Sequence, residues 1–258
     1  VRRLSGGGAV FHDLGNLNFT FIVRKPDYDV DRQLQVILEA VRRLGIQAEK
    51  TGRNDITVEG RKFSGNAFYQ TGDCCYHHGT LLVHADKENM SRYLNVPREK
   101  LASKGVSSVK SRVANLDEFC PGLTVDRVKA ALAEAFSQVY GQVAEKMEEK
   151  ELPEDAIGPL TEKFESWQWK YGRKIPFEHE MEQRFAWGGI QMQFHVDGGR
   201  IQEVNVFSDA MDQELIGNLS ERLKGCPYDG NAMCEAVKEA GTEGGIRQDI
   251  LSLIKESM

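Results

Sequence analysis

The sequence predicts an α+β fold, because strand and helix patterns are mixed along it without a regular strand–helix–strand alternation. Two patterns carry this prediction. Hydrophobic residues alternate with other residues over 17–23, which is typical of a strand with one buried face. Over 34–44 the hydrophobic residues instead recur at helical spacing, and Gly45 follows as a stop signal.

The rest of the first half adds short strands and one capped helix. Strands are predicted at 56–58, 61–63 and 78–84, with Cys74 and Cys75 in a loop before the last of them. Thr124 can cap a helix with an apolar face, and Gly141 ends it.

A second unit is predicted to begin near residue 175, where Gly172 and Pro176 bracket a polar connection. Alternating hydrophobic residues on either side of 197–200 indicate a β-hairpin. Helices are expected at 215–223, 233–240 and 246–254. The predicted organisation is therefore one domain over 1–172 and a small α+β accessory domain over 175–258.

The composition is that of an ordinary globular chain with an acidic balance. The 258 residues are 40% hydrophobic and 28% charged, and the formal net charge is −6. A general nucleic-acid binder would need a basic stripe to neutralise phosphates. No run approaches the ~18 apolar residues that cross a bilayer. We therefore expect neither a nucleic acid nor a membrane as a partner.

The cysteines indicate the redox compartment of the protein, and the first residues indicate whether a segment lies upstream. Five cysteines, an odd number with no leader pattern, fit free thiols in a reducing compartment better than a disulfide framework. The chain opens with Val1 rather than Met, and functional-looking sequence follows almost at once. We therefore expect that a segment upstream has been removed or is not shown.

Three consecutive glycines stand near the start, at 6–8. Without side chains, a ligand can lie directly against backbone N–H groups there. Arg2 and Arg3 flank the loop, and a guanidinium can bind a carboxylate or phosphate through two hydrogen bonds. The loop has neither the ending of a phosphate-binding Walker loop nor a following helix pattern. Its spacing alone leaves two interpretations open, an anion-binding loop and a flexible turn.

Two further clusters carry charge or metal-binding side chains. The run Cys74-Cys75-Tyr76-His77-His78 does not predict a zinc site, because neighbouring residues on a strand point to opposite faces. A cationic segment runs over 92–112, and in an acidic protein such clustering indicates an anionic ligand or partner. A solvated face remains the alternative for any one of these charges.

Five blocks of the sequence stand out, in this order: Arg2-Arg3-Leu4-Ser5-Gly6-Gly7-Gly8-Ala9-Val10-Phe11-His12-Asp13 followed by Gly15-Asn16, Gly52-Arg53-Asn54-Asp55-Ile56, Arg61-Lys62-Phe63-Ser64-Gly65-Asn66-Ala67, His77-His78-Gly79-Thr80-Leu81-Leu82, and residues 104–116. Together they resemble the lipoate–protein ligase A family. Beyond these blocks the resemblance continues more thinly to about residue 225. It implies a mixed-sheet catalytic domain of the biotin/lipoyl ligase type, followed by the accessory domain of the larger ligases and lacking the family's amino-terminal segment.

The resemblance implies an enzyme that activates lipoate with ATP to lipoyl-AMP and transfers the lipoyl group to an acceptor lysine. The implied cofactors are ATP and Mg²⁺. The implied partners are lipoyl domains of 2-oxoacid dehydrogenase E2 subunits and the glycine-cleavage H protein. The expected location is the cytoplasm, or the mitochondrial matrix in a eukaryote.

Site residues follow from the resemblance position by position. Lys62 is the implied catalytic residue, because a fixed ammonium stabilises charge that develops when a carboxylate attacks the α-phosphate. Asp55 is the implied Mg²⁺ ligand, and of the two histidines it is His78 that is expected to face the lipoyl pocket. The implied lipoate and adenylate contacts are Arg3, Ser5, Gly6, Gly7, Gly8, Ala9, His12, Asn16, Asn54, Asp55, Ala67 and His78. The implied loop over the adenylate includes Lys104, Gly105, Ser107, Ser108 and Arg112.

The alternatives divide into enzymes and a binding module. A lipoyltransferase would use preformed lipoyl-AMP, and a non-catalytic module would bind the adenylate only. A biotin ligase shares the general fold but orders its glycine/arginine loop differently. Related acyltransferases with a cysteine nucleophile carry it near the region that 51–56 occupies here, and that region holds no cysteine.

Overall fold

The computed structural model describes residues 2–52, 54–94, 112–172, 175–240 and 245–258. These residues pack as two compact units, one of Val1–Gly8 with Glu149–Met258 and one of Ala9–Glu148. Each unit has its own antiparallel sheet and helices, so the predicted α+β class is confirmed. The predicted division into domains over 1–172 and 175–258 stays a prediction.

The Ala9–Glu148 unit is a five-stranded antiparallel sheet with helices packed on it. The strands are β1 (Asn16–Arg24), β2 (Glu49–Thr51), β3 (Asp55–Val58), β4 (Arg61–Thr71) and β5 (Cys74–Leu82), in the spatial order β1-β5-β4-β3-β2. The helices are α1 (Val30–Arg43), α2 (Lys87–Tyr93) and α3 (Val125–Tyr140), with single 3-10 turns at Lys25–Asp27 and Leu116–Glu118.

Helices α1 and α3 form where the sequence predicts them because both are capped and amphipathic. The Asp29 carboxylate accepts a hydrogen bond from the Arg32 backbone N–H, and Thr124 Oγ1 accepts one from Arg127. Gly141 ends α3 in the left-handed conformation, at a φ of 68°. Their apolar faces pack on the sheet against Ile56, Phe63 and Leu81 among others, so these two helices lie on one face of the sheet.

Strand β4 contains a β-bulge next to Lys62. Ile56 pairs with Ser64, but the next residue, Thr57, pairs with Lys62, so Phe63 is an extra residue on β4. Phe63 is fully buried in the core. Lys62 pairs with Thr57 and therefore lies on the opposite face from Phe63 and Ser64. On a regular strand, Lys62 and Ser64 would share a face because they are two residues apart.

The β4–β5 hairpin is longer than predicted. Strand β4 continues to Thr71, and β5 begins at Cys74 after the two residues Gly72 and Asp73. The prediction that Cys74 and Cys75 lie in a loop is therefore wrong. The aromatic residues of both strands pair across the hairpin, and the cysteines follow the strand's alternation, since Cys75 is buried and Cys74 exposed.

The unit that contains Glu149–Met258 is built on a three-stranded antiparallel sheet. Its elements after the 3-10 turn Glu149–Glu151 are α4 (Glu154–Glu165), α5 (Trp167–Tyr171), β6 (His179–Phe185), β7 (Gly188–Asp197), β8 (Arg200–Ser208), α6 (Gln213–Leu223), α7 (Gly230–Glu239) and α8 (Gly245–Ser257). The predicted hairpin and the three closing helices are confirmed. Within the described ranges no helix has the length and apolar character to span a membrane.

Candidate functional site

The face of the five-stranded sheet opposite helices α1 and α3 brings together predicted residues from three strands. Residues paired across antiparallel strands share a face. Asp55 pairs with Gly65, and Ala67 pairs with His78. Because of the bulge, Lys62 joins this same face. Four predicted residues, Asp55, Lys62, Ala67 and His78, thus lie on one side of the sheet.

The electrostatic centre of this face is a carboxylate between two cations. Asp55 Oδ1 lies 2.5 Å from Lys62 Nζ, and Asp55 Oδ2 lies 2.9 Å from Arg112 Nη2. The three side chains are only 12%, 24% and 20% exposed, respectively. The chain after residue 111 is also joined to the sheet, because the Ala114 N–H donates to the carbonyl of Lys62 at 2.9 Å. Arg112 is therefore placed by backbone pairing as well as by charge.

Two opposing effects act on Asp55. Burial raises the pKa of its carboxyl, but the ammonium of Lys62 and the guanidinium of Arg112 lower it by more, so the net pKa lies below its ordinary value. Each carboxylate oxygen already contacts a cation, and the described residues contain no cluster of three or more potential metal-binding side chains. The donor set is thus poorly suited to hold Mg²⁺ by itself, and the assignment of Asp55 as a Mg²⁺ ligand stays a prediction.

Asn54 is tied to strand β4 rather than left open. Its side-chain N–H donates to the carbonyl of Asn66 at 2.9 Å, and its own carbonyl accepts from the Asn66 backbone and side chain at 2.8 and 3.1 Å. These three hydrogen bonds hold the residue just before Asp55. In this structure, Asn54 shapes the turn that presents Asp55.

The two neighbouring histidines have opposite surroundings. His77 is fully buried against the helix side, between Gln33 of α1 and Asn66 of β4, whereas His78 is half-buried on the same face as Ala67. The burial and the neighbouring His78 lower the pKa of His77 to about 4. His77 is therefore neutral at neutral pH.

The block that follows the glycines forms the entry to strand β1. Asn16 Nδ2 lies 2.8 Å from His12 Nδ1, so these two predicted residues are in contact. The Asp13 carboxylate accepts from the backbone N–H groups of Gly15 and Asp86, at 2.9 and 2.7 Å. Of the apolar residues within the matched blocks, Ala67 is buried, Phe11 half-buried and Val10 about half exposed, at 48%.

The glycine loop belongs to the other unit and is organised by Arg3. The Arg3 guanidinium donates to the carbonyl of Gly6 at 2.8 Å and to that of Gly8 at 2.9 Å. Gly7 has a φ of 101°, a conformation that favours glycine, and its N–H donates to the Asp209 carbonyl at 3.1 Å. Ser5 is buried beside the loop, and Ala9 follows as the first residue of the sheet unit. Arg3 therefore holds loop carbonyls in this structure.

Some predicted residues lie outside the described residues, and some described residues were not predicted. Lys104, Gly105, Ser107 and Ser108 belong to the first group. Gln33 and Asn66 belong to the second. Gln33 stands four residues before Ile37 and so extends the apolar face of the helix predicted over 34–44. That position is the signal that could have found it, because a buried amide needs a polar partner.

Comparison with known proteins identifies both parts of the chain. The family model described as the lipoyl protein ligase A/B catalytic domain matches residues 1–137, and the model described as the bacterial lipoate protein ligase C-terminus matches residues 174–254. The first match alone covers more than half of the chain.

Solved structures of similar proteins agree with these matches. The structure of P. falciparum LipL1 in complex with lipoate is 28% identical, with a TM-score of 0.83, over 99% of this chain and 76% of that one. The bi-partite lipoate protein ligase from Thermoplasma acidophilum, described together with its E2 lipoyl domain, is 32% identical, with a TM-score of 0.57, over 67% and 71%. A lipoate-protein ligase A bound with ATP is 30% identical, with a TM-score of 0.56, over 66% and 71%.

Proposed function

The chain belongs to the lipoate protein ligase family, and on that premise we propose that it is an ATP-dependent lipoate–protein ligase. The similar proteins include one in complex with lipoate and one bound with ATP, which supports both substrates. The proposed reaction has two steps, formation of lipoyl-AMP and transfer of the lipoyl group to a lysine of a partner protein.

The observation that carries this proposal is the charge balance around Asp55. One carboxylate faces the two cations Lys62 and Arg112 at contact distance, so these three groups together leave one net positive charge. That charge is largely buried and lies on the face of the sheet opposite α1 and α3. A surplus cation held in place before the reaction suits an anionic transition state, because little reorganisation is then needed.

The first step would use this charge. A lipoate carboxylate oxygen attacks the α-phosphorus of ATP, the bond from that phosphorus to the bridging oxygen breaks, and pyrophosphate leaves. Negative charge concentrates on the α-phosphate oxygens during the attack. Lys62 is the residue that we expect to stabilise it, with Arg112 as a second cation within reach of Asp55.

The second step needs a neutral amine. The acceptor lysine attacks the acyl carbon, the bond from that carbon to the AMP oxygen breaks, and AMP leaves while the nitrogen loses a proton. Deprotonating a free lysine of pKa 10.4 at pH 7 costs about 4.6 kcal/mol, at 1.36 kcal/mol for each pH unit. The complex must lower that cost, and a phosphate oxygen and Asp55 are the candidate proton acceptors.

The partners and surroundings belong to the same proposal. A lipoyl domain is the proposed acceptor, supported by the similar archaeal protein that is described together with its E2 lipoyl domain. The H protein of glycine cleavage is proposed as a second acceptor. Mg²⁺ would neutralise phosphate charge when bound with ATP. The proposed location is the cytoplasm, or the mitochondrial matrix in a eukaryote.

Lipoate-dependent exchange of labelled pyrophosphate into ATP tests the first step, and the intact mass of a lipoyl domain after incubation tests the second. Both signals are expected with lipoate and neither with biotin. Acceptor modification from supplied lipoyl-AMP without any exchange would instead identify a lipoyltransferase. Binding of lipoyl-AMP without exchange or modification would identify a non-catalytic module.

A further inference from the structure

A polar chain runs through the core beneath the candidate site, from helix α1 to the turn before β3. Its members are Gln33, His77, Asn66 and Asn54. His77 Nδ1 lies 3.1 Å from Gln33 Oε1, and His77 Nε2 lies 2.8 Å from Asn66 Oδ1. Gln33, His77 and Asn66 are buried to at least 97%. Buried polar groups of this kind are retained where each hydrogen bond is satisfied, and they then fix a single arrangement.

Aromatic rings enclose the histidine and keep it neutral. The ring centroids of Phe19, Phe21 and Phe68 lie 5.4, 5.7 and 4.9 Å from that of His77. A neutral imidazole has one donor nitrogen and one acceptor nitrogen. The two partners of His77 therefore cannot both accept a hydrogen bond from it.

The neighbouring bonds determine which nitrogen carries the proton. Asn66 Nδ2 donates to the carbonyl of Asn54, so Asn66 Oδ1 faces His77 and requires a donor at Nε2. His77 Nδ1 must then accept. Gln33 Nε2 is buried without a hydrogen-bond partner among the described residues, and turning the Gln33 amide by half a turn would bring Nε2 to Nδ1 as its donor.

The polar chain ends next to the charged residues Asp55 and Lys62. Asn66 holds Asn54 by the backbone and side-chain bonds described above, and Asp55 follows directly. On the other side of Asn66, Gly65 borders the ammonium of Lys62: a β-carbon at residue 65 would lie 2.7 Å from Lys62 Nζ. A shift of Asn66 would thus move the backbone next to Asp55 and the backbone next to Lys62 together.

We propose that His77 is a positioning residue that acts through Asn66 to hold Lys62 and Asp55 at their separation in the site. The proposal rests on the proposed ligase function for its kinetic consequence and on geometry alone for its structural one. His77 touches neither of the two charged residues. Its effect is transmitted by the orientation of one amide group and the backbone that carries it.

Two substitutions of His77 separate hydrogen bonding from packing. His77→Gln keeps an N–H donor near the position of Nε2, and His77→Phe keeps a ring among the aromatic neighbours but leaves Asn66 Oδ1 without a donor. Ile37→Val is the matched control, because Ile37 is equally buried on α1 and its side chain makes only apolar contacts. It should lower the Tm without changing the polar chain.

The structural readout is the rate at which Lys62 is acetylated by acetic anhydride, followed by peptide mass spectrometry in the intact protein. We expect His77→Phe to change this rate by about fivefold, and His77→Gln and Ile37→Val to leave it within about twofold, since only the first breaks the polar chain. An unchanged rate in His77→Phe would overturn the proposal. So would equal changes in His77→Phe and Ile37→Val.

The kinetic readout is lipoate-dependent pyrophosphate exchange. Misplacing a reacting group by about 1 Å can cost about 100-fold in rate, so in His77→Phe we expect kcat to fall by about 10- to 100-fold with little change in the KM for lipoate. His77→Gln should recover most of that loss. A loss equal in both His77 variants and proportional to their Tm would contradict positioning. If the wild-type protein shows no exchange while the labelling pattern is as expected, the ligase proposal fails and the positioning role stands.

Discussion

Gly65 lies directly beneath the ammonium of Lys62, and the space that a side chain would fill at residue 65 is occupied by that ammonium. A β-carbon there would approach Lys62 Nζ to 2.7 Å and Cε to 2.9 Å. Gly65 pairs with Asp55 across the strands, so the lysine crosses over the glycine to reach the carboxylate. The absence of a side chain at residue 65 is thus a condition for the ion pair.

Gly65→Ala should displace the ammonium while leaving the fold largely intact, because the clash is with the end of a flexible side chain. We expect pyrophosphate exchange to fall by about 10- to 100-fold, in line with the cost of misplacing a catalytic group. The measurement is the exchange rate together with the Tm. Gly217→Ala, on an open surface of helix α6, is the control and should retain activity with slightly raised stability. Full activity in Gly65→Ala would show that the ammonium need not occupy this position.

Lys62→Ala should abolish adenylate formation without unfolding the protein. The lysine is partly exposed, and Asp55 keeps its bond to Arg112 in the variant. Loss of a preformed electrostatic contact in a transition state costs about 100- to 1000-fold, and we expect exchange to fall at least that far. Lys50→Ala removes a surface ion pair with Asp31 and should have no such effect. Ordinary exchange in Lys62→Ala would remove the lysine from its assigned role.

Stability should fall as the pH is lowered from 6.5 to 4. The pKa of His77 is about 4 in the folded protein, against 6.5 for an unperturbed histidine, so in this window the unfolded chain binds a proton that the folded chain does not. The free energy of unfolding then decreases by about 1.4 kcal/mol for each pH unit, about 3 kcal/mol in total. Urea unfolding at pH 7 and pH 5 measures it. In His77→Gln this part of the pH dependence, about 2 kcal/mol between those two values, should disappear.

Gly7→Ala should disorganise the glycine loop, because Gly7 has a positive φ and an added β-carbon would lie 2.7 Å from Arg3 Nη2. The guanidinium would then lose its bonds to the carbonyls of Gly6 and Gly8. We expect a non-hydrolysable lipoyl-AMP analogue to bind about tenfold more weakly, which corresponds to a loss of about 1.4 kcal/mol of binding free energy. Calorimetry measures this affinity. Arg200→Lys, which alters a bond to the single carbonyl of Gly225, is the control. Unchanged affinity in Gly7→Ala would mean that the loop does not contact the adenylate.

The sequence predicts the parts of this molecule whose causes are local. Helices α1 and α3 have side-chain caps and glycine at or just beyond their ends, and all of these are visible within a few neighbouring residues. The hairpin around Gly198 and Gly199 is local in the same way. The resemblance also placed Lys62 and Asp55 in one site without any spacing argument.

The rest depends on contacts between distant residues. Arg112 and Asp55 are 57 residues apart in the chain, and no periodicity links them. Cys74 and Cys75 were predicted to lie in a loop. The strand that contains them is stabilised by its partners on β1 and β4, and these contacts are not visible in the neighbouring sequence. The burial of His77 depends on Gln33, 44 residues away, so the sequence could rank His77 and His78 only by resemblance.

Because of the bulge between β3 and β4, the number of residues in this hairpin determines on which face of the sheet Lys62 lies. Deleting one residue of 55–65 other than the extra residue Phe63 would shift the residues on one side of the deletion by one step, and a one-step shift in a strand exchanges its two faces. Insertions and deletions within the hairpin are therefore far more disruptive than substitutions of its outward side chains. Sequence libraries built on this chain should hold the length of 55–65 constant and vary only the identity of residues outside it.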